Sequence, residues 1–205
     1  MVCRRTRIKI NNMYYEKIYF NDKCGLTASV LRGDKTVKIE LAEKYDKNGC
    51  HLYKDTSSYN VGEIVAVGQN YKNAGLDPDT LQEYFVSKPT IFPKLDEFEE
   101  MSGWIDLPLE YHNGWLNKMN TLPGLMPHQI QFIDIDIMKL HDIREFVYFQ
   151  AGIKQLGSLR IFGYHDNFSF SHPSIAFASL VDKVYGKGTW DSNPLVYIYK
   201  FELIK

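Results

Sequence analysis

A chain of 205 residues, 44% hydrophobic and 24% charged, is long enough to bury a real core as one large domain or two small ones. Its formal net charge of −1 gives no global field toward nucleic acid or an anionic membrane, which disfavours both as partners. The three cysteines, Cys3, Cys24 and Cys50, form no C-x-x-C pair, so neither a zinc knuckle nor a disulfide framework is expected and a reducing compartment is the default.

The opening "MVCRRTRIKI" carries basic residues without an apolar run behind them, so it does not read as a secretory signal. Arg4, Arg5, Arg7 and Lys9 would be split across two faces if this stretch is a strand. The most apolar run, "PSIAFASLV", is less than half a membrane span. The expected setting is therefore the cytoplasm, without membrane contact. The pattern as a whole predicts a single α+β domain over 1–205. It should have a mainly antiparallel or mixed sheet and a βαβ-like C-terminal third packing helices on one face.

Residues 1–70 read as β-rich. "MYYEKIYF" is dense in β-formers, and "LTASVL" and "TVKIELA" both alternate. "RGDK" (Arg32 to Lys35) between the last two predicts a hairpin turn. "GEIVAVG" adds a short apolar strand. Residues 71–127 are irregular and punctuated by prolines. Within them "DPDTLQEYF" predicts a helix start, with Asp77 as N-cap, Pro78 in the first helical position, and Leu81, Tyr84 and Phe85 on one face. The acidic run Asp96, Glu97, Glu99 and Glu100 reads as a solvated face.

Residues 128–205 are the most regular part. They read as a strand at "QIQFIDIDIM", a helix or strand around "DIREFVYFQAG", a strand at "SLRIFGY", a helix at "HPSIAFASLVDKVYG" and a strand at "PLVYIYKFELI". Ser171 or His172 would cap the helix and Gly186 would stop it, with Ile175, Ala176, Ser179, Leu180 and Val184 as the buried stripe.

The stretch that looks like chemistry is "FIDIDIMKLHD". On a strand, residues two apart share a face, about 7 Å apart. Asp134 and Asp136 therefore share one face while Ile133, Ile135 and Ile137 share the other. The plain expectation puts isoleucine inward and aspartate outward. The chemical alternative has the two carboxylates converge on one Mg²⁺ or Mn²⁺. His51, His112, His128, His141 and His172 show no metal-ligand spacing.

Three local resemblances accompany these patterns. The Asp-apolar-Asp strand followed by a strand ending "GYH" resembles the archaeo-eukaryotic primase and polymerase superfamily. That resemblance implies metal binding by Asp134 and Asp136 and nucleotide contact by His165. The third carboxylate it calls for is absent from "LVYIYKF", with only Asp182 or Glu202 to deputise. "EIVAVGQNYKNAG", "KPTIFPK" and "WIDLPL" resemble early motifs of the fumarylacetoacetate hydrolase family, which implies a Mg²⁺-dependent hydrolase or decarboxylase. Asn73 and Ala74 stand near the place of its catalytic histidine, and "YHNGWLNKMN" lacks the Glu-x-Glu ligands, so no catalytic role carries over. "FSFSHPSIAFA" looks like part of an ADP-ribosyltransferase, whose catalytic glutamate after the late strand has no counterpart here.

The leading expectation is a non-catalytic interaction or assembly protein without a cofactor, phage- or virus-associated or of immunity type. It would recognise a protein partner through an aromatic-rich surface. The 14 tyrosines suit such a surface, although β-rich cores use tyrosine too, and Trp104, Tyr111 and Trp115 are its candidate anchors. The competing expectation is a metal-dependent enzyme acting on a nucleotide or phosphate ester. There Asp134 and Asp136 hold Mg or Mn, and His165 orients or protonates a phosphate oxygen.

Overall fold

A computed structural model describes residues 8–10, 13–45, 51–53, 57–81, 113–157, 160–164 and 169–204. The strands are β1 (Ile8–Ile10), β2 (Met13–Tyr15), β3 (Lys17–Ile18), β4 (Val37–Leu41), β5 (Glu43–Tyr45), β6 (His51–Tyr53), β7 (Ile64–Val67), β8 (Gln129–Lys139), β9 (Lys154–Gln155), β10 (Phe162–Gly163) and β11 (Leu195–Leu203). The helices are α1 (Leu26–Leu31), α2 (Asn113–Leu116), α3 (Glu145–Gln150), α4 (Pro173–Tyr185) and α5 (Thr189–Ser192). Parallel and antiparallel pairings both occur, so the chain is of the α+β class that its patterning predicts. Its contacts divide it into two compact units, one of Met1–Ile18 with Ala66–Pro127 and the other of Tyr19–Val65 with His128–Lys205. Among the described residues, no helix is long and apolar enough to cross a membrane.

The larger unit is organised on β11, which pairs antiparallel with β4 on one side and with β8 on the other. "LVYIYKFEL" is apolar on both faces because both are covered. Val196 and Ile198 stand on one face, Tyr197, Tyr199 and Phe201 on the other, and all five are buried. Ile39 of β4 lies beside Ile198, and Phe177, Leu180 and Val181 of α4 line the same cavity as Ile39. Tyr148 of α3 stacks on Phe177 with ring centroids 4.2 Å apart. On the opposite face Tyr59 stacks on Phe132 at 4.4 Å and meets Tyr199 edge-on at 5.3 Å.

Three local expectations are corrected here. "LTASVL" is not a strand but α1, and "RGDK" is the turn that leaves it, with Gly33 at φ 77°. Leu26, Ser29 and Val30 are its buried residues, an i, i+3, i+4 set that suits a helix and overrides the apparent alternation. Among the described residues of "SLRIFGY", only Phe162 and Gly163 are strand, and they pair with β9 rather than with the sheet around β11. α4 begins at its expected cap, with His172 accepting from the Ser174 N–H, and ends at Gly186 with φ 117°. Its buried residues, however, are Pro173, Ala176, Phe177, Leu180 and Val181, and Ile175 is 52% exposed. The apolar arc is wide enough to accept either of two neighbouring stripes, and stacking on Tyr148 selects the one containing Phe177.

In the smaller unit β3 runs parallel to the second half of β7, Lys17 beside Ala66 and Ile18 beside Val67. Residues 78–81 are helical, and the Asp77 carboxylate accepts the Thr80 N–H at 3.0 Å, as the capping pattern predicts. Leu81 is buried with Ala66, Tyr71 and Met126, while Tyr84 and Phe85 lie outside the described residues. Lys17 donates to the carbonyls of Lys118, Met119 and Thr121, which ties that turn to β3, and burial brings its pKa down to about 8.

Gly114 on α2 gives the sharpest steric test of this core. A Cβ there collides with the Tyr71 ring and lies 3.2 Å from the Asn120 carbonyl oxygen. Tyr71 is buried, and its hydroxyl accepts the Leu122 N–H at 3.0 Å, so the ring cannot retreat without losing that bond. Gly→Ala in a helix ordinarily gains about 1 kcal/mol. Gly114→Ala is expected instead to destabilise by about 1–3 kcal/mol, read as a lower urea midpoint at unchanged slope.

Candidate functional site

β8 carries Asp134 and Asp136, and the antiparallel register sets Lys200 of β11 opposite Asp134. The Lys200 ammonium lies 2.5 Å from Asp134 and 3.3 Å from Asp136, so both carboxylates share one cation. The hydrogen bond from Lys200 holds the Asp134 carboxyl below its ordinary range, and the same bond raises Lys200. A divalent ion would have to displace this ammonium to be held by the pair.

His165 lies outside the described residues. The strand before it, β10, is not a neighbour of β8, so the arrangement implied by the primase resemblance is not formed among the described residues. Asp182 accepts the N–H groups of Gly188 and Trp190 at 3.1 and 2.8 Å, and so holds the turn into α5 rather than joining the aspartates. Glu202 is exposed and sits opposite Gln131. Among the described residues, no group of three or more His, Cys, Asp or Glu is placed to hold a metal ion.

The isoleucine face departs from expectation. Lys200 pairs with Asp134 and Phe201 with Phe132, which leaves Ile133 without a partner on β11, a bulge of one residue. An extra residue reverses the alternation beyond it. Ile130 and Phe132 are therefore the buried side chains of β8, while Ile133 and Ile137 are 50% and 51% exposed. Asp134 and Asp136 fall on the side of Ile198 and are half-buried rather than fully outward.

The flank of β8 away from β11 is irregular too. Gly62 N–H donates to the Phe132 carbonyl at 2.7 Å and Phe132 N–H to the Glu63 carbonyl at 3.0 Å, with Gly62 at φ 86°. Two residues opposite one, the first a left-handed glycine, make a second bulge. Val61, next to it, is 63% exposed. Among the described residues, no other strand pairs with 133–139 on this flank, and the Ile135 N–H is taken by Asp134 Oδ1 at 2.9 Å.

Of the three aromatic anchors, Trp104 and Tyr111 lie outside the described residues. Trp115 is partly buried against the cluster of Ala66, Tyr71, Leu81 and Met126, which is a core role. Tyr59, Tyr71, Tyr148, Tyr164, Tyr197 and Tyr199 are all buried. Their hydroxyls serve the interior: Tyr199 accepts the Ser58 N–H at 3.0 Å, and Tyr164 bonds Ser179 at 3.2 Å. These tyrosines hold the core rather than a recognition surface.

One residue escaped the sequence reading. Lys35 turns inward and is 5% exposed. Its amine donates to the carbonyls of Val37 at 2.5 Å and Ala151 at 2.7 Å, and it sits 5.9 Å from the centroid of the Phe20 ring. Burial, and then the charge of Lys38, bring its pKa down to about 7. Among the described residues no carboxylate pairs with it. It lines a cavity of about 70 Å³ together with Tyr19, Phe20, Lys38, Phe177 and Tyr185. The Tyr185 hydroxyl donates to the Ile39 carbonyl, and burial raises its pKa above the usual tyrosine value. The signal was present in the sequence: Lys35, Val37 and Ile39 alternate, so strand periodicity puts the lysine on the face of two core residues. No family model, curated protein or solved structure matches the chain.

Proposed function

We propose that the chain is a protein-interaction module whose larger unit takes an apolar segment of a protein partner along Val61, Ile133 and Ile137. The exposure of Ile133 and Ile137, at 50% and 51%, carries the reading. They lie on a strand whose remaining side chains are buried, half-buried or charged. Single exposed aliphatics are ordinary, whereas partner surfaces gather several, and here two stand on β8 and the third is next to Gly62, which bonds β8 at Phe132. Asp134, Asp136 and Lys200 stand on the face opposite Ile137 and pair with one another there. Asp134 on the Ile135 N–H guards the backbone against indiscriminate strand addition, so side chains set the selectivity. The buried free thiol of Cys24 suits a reducing, cytoplasmic setting.

A photo-crosslinker at position 61 tests this reading in lysate of the cells the protein comes from. The expected result is one dominant adduct whose yield falls at least about tenfold in Ile133→Lys and Ile137→Lys, the loss of a central apolar contact. The same adduct should persist in Ile175→Lys, a change at an equally exposed site on α4. Equal adducts in all three variants would remove the proposal.

A further inference from the structure

We infer that Lys35 is a carbonyl-capturing amine, and that the cavity it lines admits a small apolar aldehyde or ketone which it takes up as an imine. The inference goes beyond the interaction reading and uses none of its residues.

The first support is a count of donors. A neutral amine has two N–H groups, and Lys35 has two acceptors, the carbonyls of Val37 and Ala151. As an ammonium it would carry a third buried N–H for which the described residues offer no further oxygen acceptor, only the Phe20 ring at 5.9 Å, which is costly in an apolar interior. The local contacts therefore fit the neutral form, whose lone pair is left unengaged. The second support is the space beside it. The cavity of about 70 Å³ far exceeds what one water needs, and Leu26, Ile39, Leu180 and Val181 make it chiefly apolar.

The charged and titratable groups around Lys35 do not oppose a free amine. Lys38 on β4 repels its proton and is paired with Glu40 at 3.6 Å. Tyr185 from α4 lines the cavity with its hydroxyl engaged on Ile39, and Tyr19 completes the titratable set of the wall. A desolvated lysine of this kind is the usual nucleophile of Schiff-base chemistry. The nitrogen lone pair attacks the carbonyl carbon and the C=O electron pair moves to oxygen, which takes a proton. The carbinolamine then loses water, leaving C=N and no net redox change.

The whole chain is treated with butanal and sodium cyanoborohydride, which traps the imine by hydride addition, and butylated lysines are mapped by mass spectrometry. At pH 7, Lys35 is expected to label at least about tenfold faster than exposed Lys139 and Lys187, because burial holds a large share of its amine unprotonated beside the cavity. Its rate should climb through about pH 7 and level off above it. Urea should abolish the preference. Folded protein in which Lys139 and Lys187 label ahead of Lys35, or in which Lys35 labels only in urea, overturns the inference. Because wild-type protein is used throughout, the result does not depend on a variant that folds.

Discussion

Phe132→Ala is expected to lower stability by about 3–5 kcal/mol, a large share of the 5–15 kcal/mol typical of a folded domain. Phe132 is fully buried where three other rings meet. Tyr59 stacks on it at 4.4 Å, Tyr199 approaches edge-on at 5.7 Å, and Phe201 lies at 6.5 Å. The cost belongs at the upper end only if the neighbours cannot close the gap, and their bonds indicate that they cannot. Tyr199 is held by the Ser58 N–H, and the Ser57 hydroxyl donates to the Tyr59 carbonyl at 2.6 Å. The backbone of residue 132 still joins Gly62 and Glu63 after truncation, so the loss is one of packing and not of the sheet edge. Urea unfolding measures it. Ile137→Ala on the same strand should stay within about 0.5 kcal/mol, since that side chain is already half in water. Similar losses in both variants would mean that β8 is buried differently from this description.

The contrast between those two positions marks the limit of what the sequence reveals. β8, β11 and α4 are legible because each is long enough for its period to repeat and is bounded by turn or capping residues. α1 is not, because six residues of "LTASVL" satisfy both periods and only the packing of Leu26 and Val30 decides. The bulge at Ile133 is invisible for another reason. It is a property of the ladder with β11, and nothing within "FIDIDIM" marks which residue lacks a partner. The same holds for the aspartates: that they share a face is legible, whereas the cation between them comes from Lys200, placed there by pairing. Residues far apart in sequence meet by register, and a single chain does not display register.

Lys35 is expected to make the protein more stable as pH rises from 6 to 9, an unusual direction for a lysine and therefore diagnostic. In the unfolded chain its pKa is near 10.5, and in the folded chain it is about 7. Below pH 7 both states are protonated and the folded state bears the full cost of a buried charge. Between the two values the unfolded state binds a proton that the folded state does not, so stability climbs by roughly 1.4 kcal/mol per pH unit. The gain from pH 6 to pH 9 is on the order of 2–3 kcal/mol. Lys17, lowered to about 8, slopes the same way, and Tyr185, raised by burial, reverses the trend above pH 10. The measurement is therefore a difference between wild type and Lys35→Met confined to pH 6–9, where Lys17 cancels and Tyr185 stays protonated. The variant leaves the carbonyls of Val37 and Ala151 without their donor, which lowers its stability equally at every pH. The offset thus reports lost hydrogen bonds, and only the slope reports the proton. Parallel curves for the two proteins would show that Lys35 stays charged in the folded state, whereas a steeper wild-type curve places its proton loss within the physiological range.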